Sequence, residues 1–554
     1  MNFVNPMGLS GEMKIFGALF GGNRRRGHFF FVIAPHPGKR FFFYLLERGY
    51  EMLGKKTYVA AGLCMVALAG NIAWAAEEEK PKRVIKGNST PEYLVLPQAA
   101  DNFRDAFVNG MFYGRLRSNL FYYYYDEETP TQKDNRAFGL GGSLIYKTAP
   151  LKGFSATAGL YTSQNPIEGI NMEKEDAVRF VRSGKDTFSR GKLYDDGDYD
   201  GHWGMTTLAE SFLEYQDFGF DVKFGRQIYE SFLTNSNDSK MIPNTFEGLT
   251  IGNTSIPATT ISAAYLTKQK LRDHEDFHDV IAYDAAEPWD GNDDSGAHKG
   301  LTKISLAAED IDTELLVLGL TNKGIKDLTL DAAATVVPDL FWSGMIEANY
   351  KISLAEGWSL TPGLRYMQQF DDGAGKIGGA ALSGKLAGLD GEQLGYDDAD
   401  SVDGSMWGGR LVLKKGAGSL SAAYTSIADE ADLIAPWRGF PTSGYTRDIA
   451  QVNWEANTDS WMVKYDYDFG KAGLIWGLKA SLDYVIMNYD ETKEELGGFT
   501  KTDARMIHLD LWQDIPHAPG LRAVVRIAQY SADDRSTGVD PSYWEWRFGL
   551  DYLF

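Results

Sequence analysis

The stretch that decides the fold is SYWEWRFGLDYLF, residues 542–554, at the end of the sequence. Counted back from Phe554, alternate positions carry large apolar side chains, and the positions between them are largely polar. Successive side chains of a strand point to opposite faces, so the pattern predicts one strand with an aromatic face and a polar face. A membrane barrel needs such strands, because its outer face meets lipid and its inner face meets water. An edge strand of a soluble β-sandwich is the alternative.

Two kinds of connection separate the alternating segments that begin at Gly110. Eight are short, near residues 149–153, 217–219, 253–257, 321–327, 354–357, 415–418, 470–473 and 514–520. Nine lie on the opposite side and are mostly longer and polar, near residues 126–135, 163–204, 230–244, 269–311, 337–341, 370–405, 428–459, 488–503 and 531–540. Eight turns and nine loops give eighteen strands, with both ends on the short-turn side. We therefore predict an all-β, transmembrane antiparallel β-barrel over residues 107–554, with short periplasmic turns and long extracellular loops.

The residues before the barrel divide into three segments. Residues 52–75 have the parts of a secretory signal peptide: a basic start, an apolar run and the cleavage motif AWA at residues 73–75. We interpret residues 1–51 as a mis-called extension upstream of this signal; an unusually long basic region of the signal is the alternative. Residues 76–106 are polar and poorly periodic, and we predict a periplasmic lead-in there.

Composition narrows the class of protein further. The sequence holds 60 Gly and 73 aromatic residues, which suit the turns and interface girdles of a barrel. The single cysteine, Cys64, lies in the predicted signal, so disulfides, thiolate catalysis and cysteine-based metal sites are not expected in the mature chain. The net charge of -21 becomes about -27 without residues 1–75, which disfavours nucleic acid as a partner. This net negative charge also favours cations over anions at the mouth of a pore.

Three blocks of sequence carry a resemblance to a known family. They are AFVNGMFYGRLRSNLFYYYYD at residues 106–126, FGRQ with NDSKMIPNTFEG between residues 224 and 248, and DSWMVKYDYDFGKAG at residues 459–473. The chain from about residue 101 to its end resembles the OprD-type outer-membrane porins. The resemblance implies an eighteen-stranded barrel with an inward third loop, here residues 230–244, and a row of basic side chains along the lumen. The constriction residues it implies in this loop are Asn235, Asn237, Asp238 and Lys240.

Strand alternation assigns charged side chains to the lumen independently of this resemblance. The basic ones are Arg115, Arg117, Lys223, Arg365, Arg410, Lys414, Lys464, Lys479, Arg522, Arg526 and Arg547. The acidic ones are Glu210, Glu214, Asp221, Asp466, Asp468, Asp483, Asp510, Glu545 and Asp551. The basic set can guide carboxylate-bearing solutes; alternatively, each pair only solvates the lumen and braces the wall. Arg226 is an exception, because alternation turns it toward lipid; a bend of the strand into the third loop is our interpretation, and its role stays open.

The sequence indicates a metal site or an enzyme active site only weakly. Residues 195–201 (DDGDYDG) lack the spacing and closing Glu of an EF-hand loop, and His274 and His278 lie in an acidic loop. We expect no metal, no cofactor and no catalytic residue. An outer-membrane hydrolase would need a clustered Ser, His and acid set, and His508 is the only histidine in a predicted strand.

We therefore predict a porin of the bacterial outer membrane rather than an enzyme. It gives passive diffusion to small hydrophilic solutes, with carboxylate-bearing or amino-acid-like and peptide-like solutes as candidates. A barrel that sheathes a periplasmic partner such as a cytochrome is the alternative, and an outer-membrane hydrolase is a weaker one. The expected partners are outer-membrane lipid and lipopolysaccharide, the barrel-assembly machinery through the C-terminal strand, and the solutes. A homotrimer is a candidate oligomeric state, and the sequence leaves it open.

Overall fold

Eighteen antiparallel strands of the computed structural model form a closed barrel within the described residues. The strands are β1 Met111–Tyr125, β2 Asn135–Lys147, β3 Phe154–Gln164, β4 Gly204–Asp217, β5 Phe220–Gln227, β6 Thr245–Asn253, β7 Thr259–Lys270, β8 Leu315–Asn322, β9 Leu328–Val337, β10 Phe341–Tyr350, β11 Ser359–Asp371, β12 Gly404–Lys415, β13 Gly418–Ile427, β14 Asp459–Asp468, β15 Leu478–Asn488, β16 Ala504–Asp514, β17 Leu521–Ala532 and β18 Tyr543–Leu553. Each strand pairs with its neighbours in sequence, and β18 closes the ring against β1. The predicted eighteen-stranded antiparallel barrel is confirmed.

The structure describes residues 83–86, 89–93, 97–129, 134–164, 192–193, 199–200, 204–272, 276–281, 306–307, 309–311, 313–381, 395–449, 451–493, 501–535 and 538–554. The predicted extension (1–51), the signal peptide (52–75) and the acidic loop centred on residues 195–198 lie outside these residues. The shorter elements are helix α1 Phe103–Val108, helix α2 Ala374–Gly378, the 3-10 turn Ala355–Gly357, and the short strands Arg83–Ile85, Pro91–Tyr93, Lys192–Leu193, Tyr199–Asp200, His278–Asp279 and Ile352–Ser353.

Most connections on one side of the barrel are short turns and most on the other side are longer, as the sequence predicts; 338–340 is a short connection on the loop side. The eight short turns span residues 148–153, 218–219, 254–258, 323–327, 351–358, 416–417, 469–477 and 515–520. Two of them, 218–219 and 416–417, have only two residues. In the first, Phe218 and Gly219 have φ angles of 51° and 80°, both in the left-handed region. Two such residues make the tight turn whose twist matches paired strands, and Gly219 takes this conformation without the steric cost of a Cβ.

The outer face of the barrel is apolar and the inner face is polar and packed. On β1, Leu116 is 58% exposed, whereas its neighbours Arg115 and Arg117 are 2% and 5% exposed. On β11, Leu364 is 60% exposed beside a buried Arg365. An exposed apolar row on alternate residues is the face that lipid covers in a membrane barrel.

The largest buried apolar cluster lies at the end of the barrel that carries the long connections. It joins wall residues such as Phe246 and Phe341 to Leu233 and Trp437 of two of these loops. Burying this apolar surface stabilises the loops against the wall, since apolar contacts are the main favourable term in packing. The loops that contain Leu233 and Trp437 therefore have a fixed position, and their polar residues lie against the wall.

Candidate functional site

The third long connection, residues 228–244 and called loop 3 below, reaches across to β1. Asp238 of this loop accepts a hydrogen bond from Arg115 Nη1 at 2.8 Å and one from Arg117 Nη1 at 2.6 Å. Asp551 on β18 lies 2.7 Å from Arg115 Nη2 and 3.4 Å from Arg117 Nε. All four side chains are 6% exposed or less. Two guanidinium groups and two carboxylates therefore balance one another, which compensates for the cost of burying each charge.

Three further hydrogen bonds extend the attachment of loop 3. The side-chain amide of Asn119 on β1 donates from Nδ2 to the Lys240 carbonyl oxygen. Asn235 N donates to the Trp437 carbonyl oxygen at 2.9 Å, which links loop 3 to a second inward segment. Arg272 Nη1 donates to Ser239 Oγ at 2.7 Å. Loop 3 is thus held along its length by groups from the wall and from other loops.

The second inward segment is residues 428–458, called loop 7. Trp437 is fully buried, stacks on Phe341 with ring centroids 5.9 Å apart and donates from Nε1 to the Val280 carbonyl oxygen at 2.6 Å. Gly439 N donates to the Leu233 carbonyl oxygen at 2.9 Å. Loops 3 and 7 are therefore joined by packing and by backbone hydrogen bonds.

Two arginines of the wall hold the middle of loop 7. Arg365 forms an ion pair with Glu347 at 2.6 Å and donates to the carbonyl oxygens of Pro441 and Ser443, each at 2.8 Å. The guanidinium groups of Arg365 and Arg410 lie 4.5 Å and 4.7 Å from the ring centroid of Tyr445. Burial and the nearby charge of Glu347 raise the pKa of Tyr445 to about 12. Its ring stays neutral and can stack against both cations.

The end of loop 7 is attached through Asp448 and His508. The ring Nδ1 of His508 lies 2.8 Å from Asp448, and Nε2 lies 2.8 Å from Asp510. Both ring nitrogens face carboxylates, so the imidazolium is the form that can donate to both. Burial raises the pKa of Asp448, but the hydrogen bond and charge of His508 outweigh it, and the pKa falls below its ordinary value.

Asp448, Asp483 and His508 also bring ligand-type atoms within 4.8 Å of one another. Lys464 lies 3.5 Å from Asp483, and Arg526 lies 3.4 Å from Asp510. These cations, with the imidazolium, balance the three carboxylates, so the geometry is that of an ion-pair network.

Within the part of the chain that the structure describes, no helix is long and apolar enough to cross a membrane. The model of the outer membrane porin, OprD family, matches residues 192–554 of the sequence. The chain belongs to the OprD family of outer-membrane porins. It is therefore a protein of the bacterial outer membrane.

Solved structures share the fold of this OprD-family porin. Acinetobacter baumannii OccAB1 has a TM-score of 0.61 at 16% identity, with 81% of this chain and 98% of that chain covered. Pseudomonas aeruginosa OccK9 (OpdG) has a TM-score of 0.59 at 17% identity, with 81% and 99% covered. Pseudomonas aeruginosa OpdK, solved with vanillate, has a TM-score of 0.56 at 16% identity, with 80% and 98% covered. No curated protein matches the chain.

The structure brings several of the sequence-assigned lumen residues of this porin together in pairs. Besides the Arg115 and Arg117 cluster, the pairs are Lys223 with Glu214 and Asp221, Lys464 with Asp483, Lys479 with Asp468, Arg522 with Asp514, Arg526 with Asp510, and Arg547 with Glu545. Glu210 instead accepts a hydrogen bond from Tyr161 at 2.5 Å. Among the contacts of the described residues, Lys414 and Asp466 have no ion pair.

Arg226 lies on the outward-facing row of β5, and the strand continues past it to Gln227. It forms an ion pair with Glu247 on β6 at 3.0 Å, and its guanidinium group lies 4.4 Å from the ring centroid of Phe277. The strand irregularity is on β6, where the register shifts between Glu247 and Gly248. Arg226 is therefore neutralised on the outer face by a cross-strand carboxylate and covered by an aromatic ring.

The assignment from sequence missed three residues of the site: Glu347, Tyr445 as a stacking group, and Asp448. The sequence does indicate that Glu347 faces inward, because the adjacent residue Ile346 is apolar and faces outward, where it is 63% exposed. The sequence gives no such indication for Tyr445 and Asp448, since loop 7 has no strand period that would orient its side chains. His278 pairs through the short strand His278–Asp279 with Gln269 of β7, and its Nδ1 lies 2.7 Å from the Asp279 carbonyl oxygen.

Proposed function

We propose that this porin lets small hydrophilic solutes diffuse through a charged lumen that loops 3 and 7 narrow. Loop 3 begins at β5 and ends at β6, yet Asp238 bonds to the inward-facing Arg115 and Arg117 of β1. A segment that crosses from one wall to another reduces the open section of a barrel. The attachment of Asp238 to β1 is the observation that carries the proposal.

The accessible ends of the lumen ion pairs support carboxylate-bearing solutes as the preferred class. The side chain of Lys464 is 38% exposed and that of its partner Asp483 is 3% exposed. Lys223 is 27% exposed and Glu214 is 3% exposed. In both pairs, the cation faces water and the carboxylate lies behind it. A passing carboxylate can therefore exchange part of its hydration for contact with a cation and leave again.

Within the lumen, most of the acidic side chains named above are paired with cations, so the excess negative charge of the chain is carried by other residues. The structure of OpdK with vanillate supports the same solute class, since vanillate is a small carboxylate. Flux through such a passive channel is set by its narrowest section and by the charges on its wall.

The test is single-channel recording of the refolded chain from Ala76 in a planar bilayer under a salt gradient. We expect stable ohmic openings, a reversal potential that indicates preference for anions, and a concentration-dependent decrease of the current by vanillate. A folded, heat-modifiable barrel without openings would overturn the porin function and favour a barrel filled by a partner. Openings with cation preference would overturn the solute class alone.

A further inference from the structure

A short hairpin precedes the barrel in sequence. Its strands Arg83–Ile85 and Pro91–Tyr93 pair in antiparallel register, with Val84 opposite Glu92. The chain then reaches helix α1 on the short-turn side, where Ala149 N donates to the Ala106 carbonyl oxygen at 2.8 Å. Sequence alone presents residues 76–106 as a polar segment without a period, so this hairpin is a feature that only the structure gives.

The hairpin contacts the beginning of β1. Tyr93 Oη donates to the Gly114 carbonyl oxygen at 2.5 Å, and its ring lies 4.1 Å from that of Tyr113. Arg115 Nη1 donates to the Ser89 carbonyl oxygen at 2.8 Å. Arg115 belongs to the inward-facing row of β1, so the contact places Ser89 on the inner side of the barrel.

Two further contacts attach the hairpin to other parts of the interior. Arg522 Nη1, near the start of β17, donates to the Ile85 carbonyl oxygen at 3.4 Å. The hydroxyl groups of Thr90 and Ser236 form a hydrogen bond, and Thr90 is only 6% exposed. Since Ser236 belongs to loop 3, the hairpin spans from the wall to the loop that crosses the lumen.

These contacts fix the level of the hairpin in the barrel. Gly114, Arg115 and Arg522 lie within the first five residues of β1 and β17, which begin on the short-turn side. Loop 3 starts from the opposite side and descends to the same Arg115. The hairpin therefore lies between loop 3 and the periplasmic mouth.

We propose that residues 83–86 and 89–93 are an intramolecular ligand of the lumen, which occupies the periplasmic side of loop 3 and restricts the passage beneath it. Its carbonyl oxygens take donor positions on Arg115 and Arg522 that the carboxylate of a solute could also take. The attachments to the wall and to loop 3 are polar, apart from the contact of Tyr93 with Tyr113. A small element held mainly by polar contacts can open locally while the barrel stays folded, so the hairpin can leave and return.

A disulfide between the hairpin and loop 3 tests this inference. The chain from Ala76 contains no cysteine, because Cys64 is the single one in the sequence. The hydrogen-bonded hydroxyls of Thr90 and Ser236 bring the two Cβ atoms close, so the double variant Thr90→Cys with Ser236→Cys should cross-link under mild oxidation. Mass spectrometry of a digest reports the cross-link. Each single-cysteine variant is the matched control.

We expect the oxidised double variant to conduct about twofold less than the same protein after reduction, since the locked hairpin cannot leave the passage. Deleting residues 83–93 should raise the unit conductance above that of the unmodified chain. Heat-modifiable mobility shows that both proteins are folded. A cross-link that fails to form would overturn the docking, and equal conductance in the oxidised, reduced and deleted proteins would overturn the restriction.

The inference rests on the proposed channel function, and the two can fail separately. If neither the unmodified nor the deleted chain conducts, the channel function is overturned. If both conduct equally, only the hairpin's role is overturned.

Discussion

Arg115 and Asp238 are 123 positions apart in sequence, yet Arg115 Nη1 and Asp238 Oδ2 lie 2.8 Å apart. One residue comes from the first strand of the barrel and the other from the loop that follows β5. Each side chain is 3% exposed, so the contact pairs two buried charges of opposite sign. This pair attaches loop 3 to the first strand of the barrel.

Asp238→Asn tests the strength of this connection. The change removes one of two carboxylates that balance Arg115 and Arg117, and breaking such a buried ion pair costs about 3–5 kcal/mol. Because loop 3 can detach without opening the barrel, we expect the cost to appear as release of the loop. Single-channel recordings should show a larger unit conductance and more open-channel noise. Heat-modifiable mobility should stay unchanged.

The control for that variant is Asp221→Asn. The side chain of Asp221 is 42% exposed, and its ion pair with Lys223 is 3.5 Å long. An exposed pair of this kind contributes about 0–1 kcal/mol, so conductance should change little. Equal conductance of the Asp238→Asn and Asp221→Asn variants would contradict the anchoring role of Asp238.

The barrel could be predicted because its signal is local. Arg115 and Leu116 report opposite faces through their adjacent positions alone, and the same period repeats in later strands. Which charges meet could not be predicted, since this depends on the register between strands and on the reach of the loops. Lys464 meets Asp483 through the pairing of β14 with β15, and Asp238 meets Arg115 through a loop without periodicity.

The charge exposed in the lumen is tested by Lys464→Gln. Its carboxylate partner Asp483 remains buried behind it, so the local field changes from nearly neutral to negative. Two unit charges in contact in water interact by about 1 kcal/mol, so the anion-to-cation permeability ratio should fall by up to about fivefold. The reversal potential in a salt gradient measures this ratio.

Lys471→Gln is the matched control for the selectivity prediction. It removes the same charge from the exposed turn 469–477, outside the inward-facing rows of the strands. Its reversal potential should stay close to that of the unmodified protein. A similar shift in both variants would mean that net charge, rather than the lumen cation, sets the selectivity.

The attachment of Asp448 to His508 predicts a pH dependence. The lowered pKa of Asp448 means that its contribution to loop stability is fully present above the ordinary value of 3.8, and is lost as the pH falls through the lower value. Recordings at decreasing pH should therefore show quiet openings down to about the ordinary value, and increasing noise below it. In His508→Gln, the cation that lowers the pKa is absent, so the noise should begin at a higher pH. The same onset in both proteins would contradict the role of this pair.

Trp437→Ala tests whether loops 3 and 7 form one packed unit. Trp437 is fully buried against Phe341, and truncating a buried aromatic side chain to Ala costs about 3–5 kcal/mol. Since β18 closes against β1 without Trp437, the barrel should persist while both loops become sensitive to protease. Limited proteolysis followed by mass spectrometry locates the cuts. Trp476→Ala is the control, because Trp476 is 41% exposed in a short turn and should leave both loops resistant. Cleavage confined to loop 7 would show that loop 3 is held without loop 7, by its contacts with the wall such as those of Asp238 with Arg115 and Arg117.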